Sequence, residues 1–113
     1  MRRGEVWVAN LNPTRGQEVG KVRPVLVIQD DALDAGVSPT VICLPLTSRV
    51  RPAFSRWRVS LPARDRLLRP CQVITDQPRS VDRSRFGEGP LTALTTDELA
   101  AVEVGLKAAL GLW

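Results

Sequence analysis

Two residues at the ends of apolar segments could do chemistry together: Arg23 opens one such segment and Thr47 closes another. In antiparallel pairing, the start of one strand and the end of its neighbour share an edge. If these two segments pair, Arg23 and Thr47 meet at one rim, beneath a polar loop of residues 10–21. Glu18 on that loop could fold over them, placing a cation, a hydroxyl and a carboxylate in one cleft. Such a set suits cleavage of a phosphodiester by its neighbouring 2′-hydroxyl. That reaction needs a base for the 2′-hydroxyl, a donor for the leaving 5′-oxygen and positive charge on the phosphorane. Arg supplies the charge and a forked pair of donors. Thr supplies a hydroxyl for a non-bridging oxygen. The base stays open between Glu18 and an Arg whose charge is displaced. Each residue also has an ordinary explanation: a solvated strand edge for Arg23, a turn for Thr47, open solvent for Glu18.

The rest of the composition narrows the chemistry. The chain has no His, which removes the commonest general base and metal ligand. Cys43 and Cys71 are too few for a disulfide framework and lack the spacing of a metal knuckle. Both sit in apolar segments and read as buried thiols. No metal or cofactor is expected. Of the 16 basic residues 14 are Arg, and only Lys21 and Lys107 are Lys. Residues 1–94 carry a net charge of +6 and residues 95–113 a net of −2. The positive charge therefore lies on the N-terminal body. A planar guanidinium suits phosphate and stacks on bases, so a nucleic acid or an acidic protein is the expected partner. An Arg-rich proteome would leave the same composition.

At 113 residues there is room for one domain, 1–113. No apolar run is long enough to span a bilayer. The first residues, Met1-Arg2-Arg3-Gly4-Glu5, lack the apolar stretch of a secretory signal. The expected compartment is the cytoplasm, with no membrane partner.

Several short strands must position the pair. Residues 4–9 alternate, with Val6 and Val8 on one face and Glu5 and Trp7 on the other. Residues 10–21 hold Pro13, Gly16 and Gly20 and read as a loop, long for so small a domain and hence of functional interest. Residues 23–29 contain Pro-Val-Leu-Val-Ile, a run buried on both faces. Residues 40–46 form another apolar strand, followed by Thr47-Ser48-Arg49 and a basic loop at 49–55. Residues 54–61 alternate and read as a strand; 64–69 is a charged turn; 71–75 is a fifth strand. Residues 86–94 could add a short one. Trp7 and Phe54 are expected in the core. Thr95-Thr96-Asp97-Glu98 is a capping box. Leu99, Val102, Leu106, Ala109 and Leu110 then recur at helical spacing up to Gly111. That helix packs on the sheet or across a dimer seam. The pattern is mainly β with a C-terminal helix, a compact and partly open barrel.

The segments Arg3-Gly4-Glu5-Val6-Trp7-Val8, Leu11-Asn12-Pro13-Thr14-Arg15-Gly16-Gln17-Glu18 and Arg23-Pro24-Val25-Leu26-Val27-Ile28 resemble the N-terminal half of MazF/PemK-family toxins. The match continues through Pro45-Leu46-Thr47-Ser48 and Asp76-Gln77-Pro78-Arg79-Ser80-Val81-Asp82, in the same order, over about residues 3–111. The resemblance implies an SH3-like barrel of the PemK/CcdB type, as a homodimer. It implies a toxin endoribonuclease of a toxin–antitoxin pair that cuts single-stranded mRNA at a short motif without a metal. The products would be a 2′,3′-cyclic phosphate and a 5′-hydroxyl. The family's catalytic Arg and Thr fall on Arg23 and Thr47, and a loop acid of some members on Glu18. Gln77 matches a position that contacts bases in relatives. Asn12, Thr14, Ser48, Arg49 and Arg79 complete the expected RNA-binding set, and the 49–52 loop is expected to help set specificity. Two positions depart: Cys71 stands where many relatives carry a Ser that helps hold RNA, and Pro78 replaces an aliphatic residue. The expected inhibitor is an acidic, MazE-like antitoxin whose disordered segment covers the groove. Two other readings share the barrel: a CcdB-like gyrase poison, which Trp113 near the C-terminus favours slightly, and a non-catalytic SH3-like binding module.

Overall fold

The computed structural model describes residues 1–34, 38–54 and 57–112. Seven strands, β1 (Glu5–Asn10), β2 (Val22–Val27), β3 (Thr40–Thr47), β4 (Arg58–Leu61), β5 (Cys71–Ile74), β6 (Arg79–Asp82) and β7 (Thr92–Ala93), precede one helix, α1 (Thr96–Leu110). They join in one curled antiparallel sheet in the order β4-β5-β3-β2-β1-β7, with β6 also on β3. β3 is the hub. Its first half, Thr40–Cys43, pairs with β6, and its end, Leu46 and Thr47, pairs with β5. Pro45, which has no N–H to give, falls in the gap between the two pairings.

Successive residues of the central strands point to opposite faces. Leu26, Leu44 and Leu46 face one cluster with Val6, Leu61, Val73 and Val102 of the helix. Val25 and Cys43 face a second cluster with Ala9, Leu11 and Val81. The continuous apolar run at residues 23–29 thus serves two cores at once. Each fully buried aliphatic side chain contributes about 1.5–3 kcal/mol. Both thiols are free and buried, as their apolar settings imply.

The helix begins and ends where its sequence says. Thr95 accepts from the Glu98 amide, and Glu98 accepts from the Thr95 amide, closing the capping box. Gly111 stops the helix in a left-handed turn, φ 71°. Val102 is buried and Leu106 packs beside it. Ala109 and Leu110, expected on the same face, are exposed. No helix among the described residues is long and apolar enough to cross a membrane.

Three expectations are corrected. The strand foreseen at 54–61 covers only Arg58–Leu61, because Pro52–Phe54 forms a short 3-10 turn. Ser55 and Arg56 of that segment lie outside the described residues, as does Trp113. Phe54 is 41% exposed and carries the Arg58 guanidinium at 4.7 Å from its ring centroid. Trp7 is half-buried, its indole N–H donating to Glu5 at 3.1 Å. β6 was not foreseen, since Arg79-Ser80-Val81-Asp82 holds one buried apolar residue.

The charged turn at 64–69 is tied to the helix start. Arg64 donates twice to the Glu98 carboxylate, at 2.8 and 2.7 Å, and once to Thr92 Oγ1 at 3.2 Å. Both partners are about four-fifths buried. The Arg64 guanidinium holds the Glu98 carboxyl well below its usual 4.5, at about 2. Folding therefore favours charged Glu98. The stability it contributes is complete above pH 4.5 and fades as pH falls towards about 2. Glu98→Gln should lower unfolding free energy by roughly 1–3 kcal/mol at pH 7. In urea titrations the gap to wild type should shrink as pH drops below 4.5. A second measurement concerns the thiols. Burial pushes Cys43 up to about 12 and raises Cys71. An aromatic disulfide reagent should label Cys43 at neutral pH only as fast as the chain unfolds, because the thiolate is the reactive form.

Candidate active site

β2 and β3 pair antiparallel with Val25 opposite Pro45 and Leu26 opposite Leu44. The same register carried two residues further would set Arg23 opposite Thr47. Both residues lie beside this paired stretch and line one cleft. Arg23 also lies opposite Ala9 of β1, and Thr47 opposite Gln72 of β5. The pair thus sits at mid-sheet and not at a frayed edge.

Each side chain is oriented by backbone. Arg23 Nε donates to the Gly20 carbonyl at 2.6 Å, and Nη1 donates to the Leu46 carbonyl at 3.3 Å. Its Nη2 has no partner among the described residues, so one edge of the fork can meet a ligand. Partial burial lowers the Arg23 pKa from its usual value by desolvation. Thr47 Oγ1 accepts from the Arg49 amide at 3.1 Å. With an acceptor lone pair used in this way, the hydroxyl proton can be donated outward.

Both residues line a cleft of about 680 Å³. Ser48 and Arg49 join them. So do Lys21, Arg66 and Arg69, which the sequence reading did not single out. Among the described residues, five cations line the cleft and none of the lining residues is acidic. Its floor is apolar, from Pro24, Leu46, Leu67, Leu91 and the buried thiol of Cys71. Cys71 donates to the Arg69 carbonyl at 3.3 Å. Arg66 and Arg69 arrive on the turn that Arg64 fastens to α1, and the Arg66 amide is held by the Leu91 carbonyl at 2.9 Å. The density of Arg in that turn was the available signal. Arg66 also reaches Glu88 at 3.0 Å, a pair exposed on both sides and hence weak.

The other expected residues build the loop instead of lining the cleft. Glu18 is exposed, and its carboxylate accepts from the Arg15 amide at 2.7 Å. It does not touch Arg23. Asn12 Oδ1 accepts from the Lys21 amide at 3.0 Å. Asn12 Oδ1 and Thr14 Oγ1 crowd Gly20 so closely that a Cβ there would lie 2.8 Å from each. That close approach keeps the Gly20 carbonyl where Arg23 uses it. Gln77 Oε1 accepts from the Val19 amide at 3.0 Å, and Arg79 donates to the Leu11 carbonyl at 3.2 Å. Pro78, directly between them, leads into β6. Among the described residues there is no group of three or more His, Cys, Asp or Glu able to hold a metal ion.

Comparison with known proteins agrees with this architecture. A family model described as PemK-like, MazF-like toxin of type II toxin–antitoxin system matches residues 2–110. The chain is similar to MazF from Deinococcus radiodurans, with 33% identity and a TM-score of 0.85 over 99% of this chain and 97% of that one. It is similar to a chain of a MazE–MazF structure from the same organism, with 32% identity and a TM-score of 0.78 over 100% and 97%. A mycobacterial endoribonuclease in complex with its cognate antitoxin shares the fold, at 20% identity and a TM-score of 0.73 over 100% and 95%. The curled sheet with one terminal helix is the fold of these MazF structures. The chain belongs to the PemK-like, MazF-like toxin family of type II toxin–antitoxin systems.

Proposed function

We propose that this toxin is a metal-independent endoribonuclease that cuts single-stranded mRNA at a short sequence motif in the cytoplasm. One observation carries the reading: Arg23 and Thr47 line one cleft, together with four further cations, Lys21, Arg49, Arg66 and Arg69. In the proposed step the 2′-oxygen attacks phosphorus and the bond to the 5′-oxygen breaks. The 2′-proton leaves to a base and the 5′-oxygen takes up a proton, giving a 2′,3′-cyclic phosphate and a 5′-hydroxyl. The free edge of the Arg23 fork meets the charge that builds on the phosphorane. The Thr47 hydroxyl donates to a non-bridging oxygen. Ser48 and Arg49 contact the strand directly, while Arg66 and Arg69 neutralise neighbouring phosphates from the facing wall.

Asn12, Thr14, Gln77 and Arg79 serve RNA through the 10–21 loop that they brace. Glu18 could act as the base only if that loop swung over the cleft, since its carboxylate now caps the Arg15 amide. A cleft without its own acids also suits an acidic antitoxin segment, in line with the MazE–MazF structures of the relative. The active form is proposed to be a homodimer.

Arg23→Ala should lower the cleavage rate about 10²–10³-fold, the loss typical of a transition-state donor. Thr47→Ala should also cripple cutting, and both variants should keep the wild-type melting temperature. Glu18→Ala should cut nearly as well as wild type. The assay is cleavage of an RNA panel in EDTA, with 5′-hydroxyl ends mapped. Absence of cutting by the wild-type protein, or near wild-type cutting by Arg23→Ala, would overturn the assignment.

Affinity for uncleavable RNA should fall with salt, by roughly 0.7 log unit per log unit of salt for each phosphate neutralised. Arg69→Ala should flatten that slope by about one contact. A slope unchanged by the substitution would remove Arg69 from the RNA path.

A further inference from the structure

The loop between β3 and β4 starts at the cleft, with Ser48 and Arg49 in its lining. Beyond it stands Phe54, with the guanidinium of Arg51 at 6.0 Å and that of Arg58 at 4.7 Å from its ring centroid. Aromatic rings and guanidinium planes of this kind are what unpaired bases stack on. A loop with few apolar anchors would ordinarily sample many shapes. This one is fastened from behind by two buried polar side chains.

Gln72 sits in the middle of β5, in the apolar run Cys-Gln-Val-Ile, and is 1% exposed. Its amide is committed to a single loop residue. Oε1 accepts from the Arg51 amide at 3.0 Å, and Nε2 donates to the Arg51 carbonyl at 3.3 Å. Thr75, equally buried, donates from Oγ1 to the Trp57 carbonyl. In the sheet, Gln72 stands directly opposite Thr47 on one side and Ser60 on the other. The residue that braces Arg51 is therefore the cross-strand neighbour of Thr47, and the loop leaves the sheet at that point. An aliphatic residue at this buried strand position would add more to the core. A buried amide is tolerated there only while its hydrogen bonds are made, and Gln72 makes them to the loop backbone.

We propose that Gln72 is a positioning residue that sets the RNA preference of the cleft by holding Arg51, and with it the segment from Ser48 to Phe54, in one shape. The proposal rests on the nuclease reading and deepens it. It makes sequence choice depend on a side chain that touches no RNA.

The test uses the full-length protein with two substitutions. Gln72→Val removes both hydrogen bonds and suits a strand. Gln72→Glu keeps the acceptor for the Arg51 amide and nearly the same volume. Binding is measured on short RNAs made uncleavable by a single 2′-deoxy substitution at the nucleotide whose 2′-oxygen would attack, and differing only in the bases beside the cut. Cleavage of the unmodified set is measured in parallel, and exchange of the Arg51 amide is followed by NMR.

Gln72→Val should weaken binding of the preferred RNA by about threefold to tenfold, the span of one or two such hydrogen bonds. It should narrow the spread across the set, raise KM with little change in kcat, and speed Arg51 exchange. Gln72→Glu should recover part of the preference. If Gln72→Val fails to fold, Gln72→Glu carries the test: its Arg51 amide should stay protected while its preference shifts only slightly. Faster Arg51 exchange with the preference order and spread unchanged would overturn the proposal and leave Gln72 a core residue only. Unchanged exchange in Gln72→Val would overturn it too. If wild type binds RNA selectively and cuts none, the nuclease reading fails while the binding arm still decides the role of Gln72.

Discussion

The pairing of β2 with β3 is the constraint on which the site depends. One register sets Val25 against Pro45 and Leu26 against Leu44, and continued two residues on it would place Arg23 against Thr47. A slip by one residue would turn Leu26 and Leu44 out of one cluster and Val25 and Cys43 out of the other. The same packing that stabilises the sheet therefore fixes which residues share the rim. The cleft needs no separate scaffold for its two central side chains, because the double-sided core holds them in step.

Everything else around the cleft is an attachment to that frame. On one side, Asn12, Thr14, Gln77 and Arg79 hold the 10–21 loop so that the Gly20 carbonyl meets Arg23. On the other, Arg64 and Glu98 fasten the turn that brings in Arg66 and Arg69. Above, Gln72 and Thr75 clip the loop that carries Arg49 and Arg51. Each attachment uses a side chain bonded to backbone or to its opposite charge. Of the cations that face the cleft, Arg23 is oriented by two backbone carbonyls and Arg66 by a weak exposed pair with Glu88.

What could be read from the sequence follows this division. Arg23 and Thr47 were legible as strand ends because apolar runs mark strands and antiparallel strands share ends; their roles, and those of Ser48 and Arg49, came from the family resemblance. The helix was legible down to its cap, since Thr95 and Glu98 act within one turn. Glu18 was legible as a loop acid, but its direction was not: a local bond to the Arg15 amide decides it. Arg66 and Arg69 reach the cleft through contacts with Leu91 and Glu98, more than 20 residues away, and spacing does not report such contacts. Phe54 looked like a core residue because it opened the alternating stretch 54–61, whereas it closes a 3-10 turn begun at Pro52. Gln72 was hidden inside an apolar run, where one polar residue does not disturb the pattern.

The two carbonyl bonds of Arg23 have a consequence for timing. A free Arg side chain gives up as much as about 2 kcal/mol of rotamer entropy when it is immobilised. Here Gly20 and Leu46 have already restrained the guanidinium in the folded chain. That entropy is lost when the protein folds and not when a phosphate arrives. On the proposed nuclease reading, the cation is already oriented before an RNA strand arrives, and the strand has only its own freedom to surrender.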